Sequence, residues 1–163
     1  MLEGMNRNSI LFALANPIPE IWPEEAKKAG VSIVATGRSD FPNQVNNSLM
    51  FPSILRGVLD VRSKAIPDEA IIAAAEELAA CAQRNYVFDR DHILPSMMDF
   101  EIYPAVASAV GQKCIELGIA RKNLTRRELL ARATDVIENS RKMTQSLQES
   151  HLIRPLPNQD ASV

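Results

Sequence analysis

The stretch Ile10-Leu11-Phe12-Ala13-Leu14-Ala15-Asn16-Pro17 decides how the rest of the chain is read. An apolar run with no polar alternation, ended by Asn-Pro, suits a strand buried on both faces of a parallel sheet. Pro23-Glu24-Glu25-Ala26-Lys27-Lys28-Ala29-Gly30 follows as a short helix. Proline stands at its first position, acids in its first turn and lysines in its last, and glycine stops it. Val31-Ser32-Ile33-Val34-Ala35-Thr36 is a second β-branched run, closed by Gly37. Strand, helix and strand make close to one βαβ unit, whose crossover is expected to be right-handed.

Outward from that unit the pattern becomes helical. A polar loop runs from Arg38 to Asn46, and a helical pattern from Asn47 to about Arg62 is interrupted by Pro52 and Gly57. Pro67 opens an Ala-rich helix reaching about Gln83, apolar over most of its circumference and so expected to be deeply packed. Val87 to Pro95 reads as a loop carrying a short strand at most. Pro104 to Leu117 is helical and is stopped by Gly118. Thr125-Arg126-Arg127-Glu128 is a capping box that starts a final helix reaching about Ser150. Residues 155–163 read as a disordered tail. Two strands are too few for a self-contained doubly wound sheet, which has about five or six. The expectation is an α/β chain holding the second half of such a sheet, followed by C-terminal helices.

Composition narrows the class. With 163 residues the chain suits one compact domain, which buries roughly 70% of its unfolded surface without a disulfide or metal staple. Hydrophobic residues at 46% and charged residues at 23% are ordinary for a globular protein, and exclude wholesale disorder. A net charge of -2 lacks the basic excess of a nucleic-acid binder. No apolar run is long enough for a membrane span, and the polar start Met1-Leu2-Glu3-Gly4-Met5-Asn6-Arg7 offers no signal-peptide core. Cys81 and Cys114 lie in helix-like segments and read as small buried thiols. A cytoplasmic location is expected.

In open α/β sheets, ligands bind outside the carboxyl ends of the strands. Asn16 stands there after the first strand. Asn46 and Asn47 stand where the loop after the second strand meets a helix start. A carboxamide offers donors and an acceptor without net charge, and a helix start adds free N–H groups suited to an anion. The same residues fit plainer roles: Asn16 before proline as a turn residue, Asn46 or Asn47 as a helix cap. Asp89-Arg90-Asp91-His92 invites a metal reading, but no second ligand cluster has convincing spacing, and a solvated turn with a local ion pair fits better. His151 reads as exposed at a polar helix end. The glycines give no dinucleotide fingerprint or P-loop, and neither a nucleophile elbow nor HExxH occurs.

Longer strings add a resemblance. Phe12-Ala13-Leu14-Ala15-Asn16-Pro17-Ile18-Pro19-Glu20-Ile21 resembles a segment of the small-subunit, prokaryotic-type malic enzymes. Ala35-Thr36-Gly37-Arg38-Ser39-Asp40-Phe41-Pro42-Asn43-Gln44-Val45-Asn46-Asn47 resembles their following loop, and Leu49-Met50-Phe51-Pro52 with Arg56-Gly57-Val58-Leu59-Asp60 continues it. The resemblance covers about residues 5–120 well, and the terminal helix and tail loosely. It implies a Rossmann-like domain and oxidative decarboxylation of L-malate to pyruvate and CO2, with NAD or NADP as hydride acceptor and Mg or Mn as Lewis acid. Asn16 then corresponds to a residue contacting malate or the nicotinamide ribose side. Asn46 and Asn47 correspond to the pair bonding malate's carboxylates and the nicotinamide. Arg38, Ser39 and Asp40 are expected to order the loop.

The family's Tyr and Lys acid–base pair, its Glu-Asp-Asp metal ligands, its glycine-rich turn and the residue selecting NAD or NADP belong to upstream segments that find no match here. The resemblance therefore assigns no catalytic and no metal-binding residue to this chain. It divides the chain into residues 1–120, the C-terminal half of the NAD(P)-binding domain; residues 121–154, a helical extension; and the tail. Leu2-Glu3-Gly4-Met5 reads as the last turn of a helix cut mid-element, so the chain is expected to be a C-terminal portion, inactive alone. Its partners would be L-malate or pyruvate and further copies of itself or a missing N-terminal half, with neither nucleic acid nor membrane. The alternative is a non-catalytic nucleotide-binding or assembly module that completes a separately encoded N-terminal half.

Overall fold

A computed structural model of the chain describes residues 2–85, 87 and 89–154. The two apolar runs form β1 (Ile10–Ala13) and β2 (Ile33–Thr36). They pair in parallel, with Ile10 opposite Ile33 and Ala13 opposite Thr36. Between them lies α1 (Pro23–Lys28), with proline in its first turn beside Glu24 and Glu25, and Lys27 and Lys28 at its end, each sign of charge on the matching pole of the helix dipole. Gly30 ends it with φ of 94°, a left-handed conformation open to glycine without a Cβ clash. Ala26, Val31 and Val34 bury together, with Leu11 and Ile21 packed around them.

One expectation fails here. β1 is not buried on both faces: Ile10 is 52% and Phe12 49% exposed, whereas Ala13 is 2% exposed. Alternate residues of a strand point to opposite faces, and among the described residues α1 covers only the side that carries Leu11. Among the described residues β1 bonds to β2 alone, and its other edge has no strand partner. The described sheet is this two-stranded parallel pair, followed by helices, and matches that part of the expected α/β architecture.

A single 3-10 turn, Asn47–Leu49, leads into α2 (Phe51–Asp60). Pro52 does not interrupt this helix. It sits in the first turn, where the missing N–H would have had no intrahelical partner. Gly57 does not interrupt it either, because α2 meets α4 (Ile102–Glu116) at that point. A Cβ on Gly57 would stand 2.5 Å from the Ala107 carbonyl oxygen and 2.8 Å from Val110. The glycine is kept in the helix by this close approach, which offsets its poor helix propensity of about 1 kcal/mol.

α3 (Asp68–Asn85), α4 and α5 (Arg126–Glu149) complete the bundle. α4 is its centre, packed against α2, α3 and α5. Ile102, Val106, Val110 and Cys114 are fully buried, each large apolar side chain contributing about 1.5–3 kcal/mol. α4 begins two residues earlier than the proline suggests, and Pro104 falls in its first turn, where helix N–H groups lack partners anyway. Thr125 and Glu128 form the expected capping box: Thr125 N–H donates to Glu128 Oε2 at 2.8 Å, and Glu128 N–H to Thr125 Oγ1 at 3.3 Å. The buried carboxylate of Asp60 accepts from Arg56 of its own helix and from Arg132 Nε of α5 at 2.8 Å, tying α2 to α5.

The described part of 87–95 contains turns and no strand. Cys81 and Cys114 are free buried thiols, as expected. No helix among the described residues is long and apolar enough to cross a membrane. The expected tail, 155–163, lies outside the described residues.

Candidate functional site

Both strands end at the same side of the sheet, and the segments leaving them are tied together there. After β1 the chain turns through a cis Asn16–Pro17 bond, and Glu20 closes the turn by accepting Ala15 N–H at 3.1 Å. That bond is the chief reason the Glu20 carboxyl titrates below the ordinary glutamate range, since a donor N–H favours the charged form. After β2 the chain passes Gly37. A Cβ at Gly37 would lie 2.7 Å from Asn16 Nδ2 and 2.9 Å from its Oδ1. The Asn16 carboxamide thus rests in the space that glycine leaves open.

Arg38 joins the two segments. Its Nη1 donates to the Pro17 carbonyl at 2.9 Å, while Nε and Nη2 make a two-pronged pair with Asp40 at 2.8 and 2.7 Å. The guanidinium also lies over Trp22 and Phe41, 5.4 and 5.9 Å from their ring centroids, a favourable cation–aromatic placement. The Arg38 bond holds the Asp40 carboxyl below its usual range. Of the three residues expected to order this loop, Arg38 and Asp40 do so through these bonds.

The loop then folds back on its own strand. Val45 N–H donates to the Thr36 carbonyl at 2.7 Å, which sets Asn46 next to the strand end that carries Gly37. Asn43 is the residue that sequence reasoning missed. It is 5% exposed with φ of 56°, and its amide spans three backbones. Nδ2 donates to Val34 O at 3.2 Å and Arg90 O at 2.8 Å, and Oδ1 accepts from Ile93 N–H at 2.9 Å. The only local signal is an asparagine in a turn, a residue that tolerates the left-handed region. Its partners lie far along the chain and leave no trace in spacing.

Asn46 Oδ1 caps the 3-10 turn, accepting from Ser48 N–H at 3.0 Å and Ser48 Oγ at 2.9 Å. Its Nδ2 donors remain for other partners. Asn47 is exposed. Asn16 follows β1, and Asn46 stands one residue past the Val45–Thr36 bond at the end of β2, with Asn47 next in the chain; among the described residues the three make no hydrogen bond to one another. The cap reading of Asn46 holds and uses only half of its amide.

The 89–92 segment is a turn. Asp89 Oδ1 pairs with His92 Nδ1 at 2.9 Å, and Asp91 reaches Lys27 at 2.9 Å. Between this turn and the Arg38–Asn46 loop lies a cleft of about 510 Å³. Among the described residues no three His, Cys, Asp or Glu side chains gather as metal ligands. His151 is exposed at the end of α5.

Two parallel strands followed by helices, with carboxamides after the strands' carboxyl ends, are a portion of an α/β domain, and open sheets of that class take ligands at those ends. Residues 1–115 match the family described as malic enzyme, NAD binding domain, and the chain belongs to that family. It is 46% identical over 144 residues to the bifunctional malic/malolactic enzyme of Bacillus subtilis, an alignment covering 88% of this chain and 33% of the relative. The crystal structure of Entamoeba histolytica malic enzyme superposes with a TM-score of 0.90 at 43% identity, over 96% of this chain and 32% of that one. The malic enzyme of Pyrococcus horikoshii gives 0.85 at 42% identity, over 91% and 34%. The chain spans about a third of the length of these relatives.

Proposed function

We propose that this chain supplies the substrate and nicotinamide wall of an NAD- or NADP-dependent malic enzyme, which converts L-malate to pyruvate and CO2, and that it is inactive alone. The observation that carries this reading is the packing of the Asn16 amide on bare Gly37, within the stretch that matches the family. Bound NAD or NADP would accept the hydride. Asn16 offers its uncharged amide to a malate carboxylate or to the nicotinamide side, and Asn46 Nδ2 and the Asn47 amide donate to carboxylate or nicotinamide oxygens. Such groups orient a bound anion without disturbing nearby protonation states. Residues 1–120 are read as part of the NAD(P)-binding domain and 121–154 as a helical extension. Free Cys81 and Cys114 are in keeping with a cytoplasmic setting.

The described residues do not fit a Mg or Mn site, because no three acidic, His or Cys side chains converge. Catalytic acid, base and metal ligands are assigned to the remaining two thirds of the enzyme.

Reconstitution tests the reading. The chain is mixed with a segment covering the remaining two thirds of the Bacillus subtilis relative, and malate-dependent nicotinamide reduction is followed. Turnover is expected from the mixture, none from the chain alone, and a large loss with Asn47→Ala. Turnover by the pure chain, or a folded complex indifferent to Asn47, overturns the proposal. The open edge of β1 favours a second reading, a non-catalytic assembly module; a complex that binds NAD without turnover would select it.

A further inference from the structure

A second cavity, of about 420 Å³, lies between α2, the start of α4 and the middle of α5. Its walls are mostly apolar, with Phe100 and Ile137 among them, yet they carry two guanidiniums, Arg56 and Arg141, and no acidic side chain. Arg141 lies over the Phe100 ring at 3.8 Å. Arg56 gives one arm to Asp60, while its Nε is buried without a hydrogen-bond partner. Ser53 lines the same cavity at 1% exposure, and its Oγ is also without a partner. Native structures leave few buried polar atoms unpaired. Both such side-chain atoms found among the described residues belong to residues of this one wall.

We propose that this cavity is a binding site for a small carboxylate carried on a compact apolar or aromatic body. A guanidinium presents planar paired donors that match a carboxylate, and the apolar walls take the body of the ligand. Asp60 already offsets part of the Arg56 charge, which favours a monoanion over a phosphate dianion. The site is coupled to the strand-end rim. Ser48 also lines the cavity, and its hydroxyl donates to Asn46 Oδ1. A carboxylate that takes the Ser48 hydroxyl removes one of the two hydrogen bonds at Asn46 Oδ1 and leaves the one from Ser48 N–H. The binding claim does not rest on the malate reading.

The test is a two-dimensional NMR titration of the 163-residue chain with benzoate as probe. Expected are saturable shifts at the Ser48, Ser53 and Ser140 amides and at the Asn46 side-chain NH2. Benzyl alcohol, which keeps the ring without the charge, and inorganic phosphate, which keeps charge without the ring, should bind about tenfold more weakly or worse. Arg141 is exposed, so Arg141→Gln should leave the spectrum dispersed while weakening benzoate about tenfold. Arg141→Lys should fall between. Shifts that never saturate, affinity unchanged in Arg141→Gln, or phosphate binding as well as benzoate each overturn the proposal. So does exclusion of benzoate once the rest of the enzyme is bound, which would show that a protein segment fills the cavity.

Discussion

The Asn16 carboxamide occupies the volume that a Cβ on Gly37 would need, with atoms 2.7 and 2.9 Å from that position. Gly37→Ala must therefore push the amide aside. Asn16 is exposed, so its side chain can turn toward solvent and the fold should tolerate the change, with thermal unfolding of the chain nearly unaltered. In the reconstituted enzyme, kcat/KM for malate should fall about tenfold to a hundredfold, the range expected when a positioning group moves by about an ångström. Steady-state kinetics with circular dichroism as the folding control checks both halves.

Glu20 gives the rim a pH dependence. Its folded pKa is depressed, chiefly by the Ala15 N–H bond. A group of that kind contributes stability above its unfolded pKa and loses it as pH falls through the folded value. The Asp40–Arg38 pair carries the same sign. The turn at Asn16 should therefore stay closed at neutral pH and loosen only below the ordinary carboxylate range. An NMR pH titration should show the Ala15 amide shifting in that acidic window, and Glu20→Gln should abolish the shift.

Asp60 holds two helices through one carboxylate. Asp60→Ala should destabilise the chain by about 1–3 kcal/mol, below the 3–5 typical of a fully buried pair. The discount reflects Arg56 and Arg132, whose side chains are 29% and 50% exposed and can turn to water once released. Urea denaturation measures the loss.

Gly57→Ala should be costly for the opposite reason, too much volume. The new methyl meets a backbone oxygen and Val110, so α2 and α4 must separate, at about 1–3 kcal/mol. Gly118→Ala is the control. There φ of 68° strains the new residue but nothing lies within reach of its Cβ. Thermal melts of both variants should show loss of stability, with α2–α4 amide exchange accelerated only in the first.

Local chemistry made much of this fold legible. Pro23 with its acids and lysines, the stop at Gly30, and Thr125 with Glu128 each complete their interactions within a turn of the chain, and each stands where expected. Pro52 and Gly57 misled because their meaning depends on distant partners. The first is harmless in a first helical turn, and the second is required by α4. β1 misled for a related reason: an apolar run shows that a strand wants cover without showing which face receives it. At the rim, spacing alone placed Asn16, Asn46 and Asn47 near strand ends, but nothing in sequence marked Asn43, whose three backbone partners lie 9, 47 and 50 positions away.

The outward side of β1 has one more implication. Ile10, Phe12 and Leu14 form an oily stripe beside a ladder of peptide groups that no described residue claims, and such a rail accepts whichever extended backbone arrives first. At high concentration the newcomer should be another molecule of the same kind, seen as concentration-dependent sedimentation that Phe12→Lys suppresses. In the reconstitution mixture, the complementary segment should win that competition and keep the solution clear.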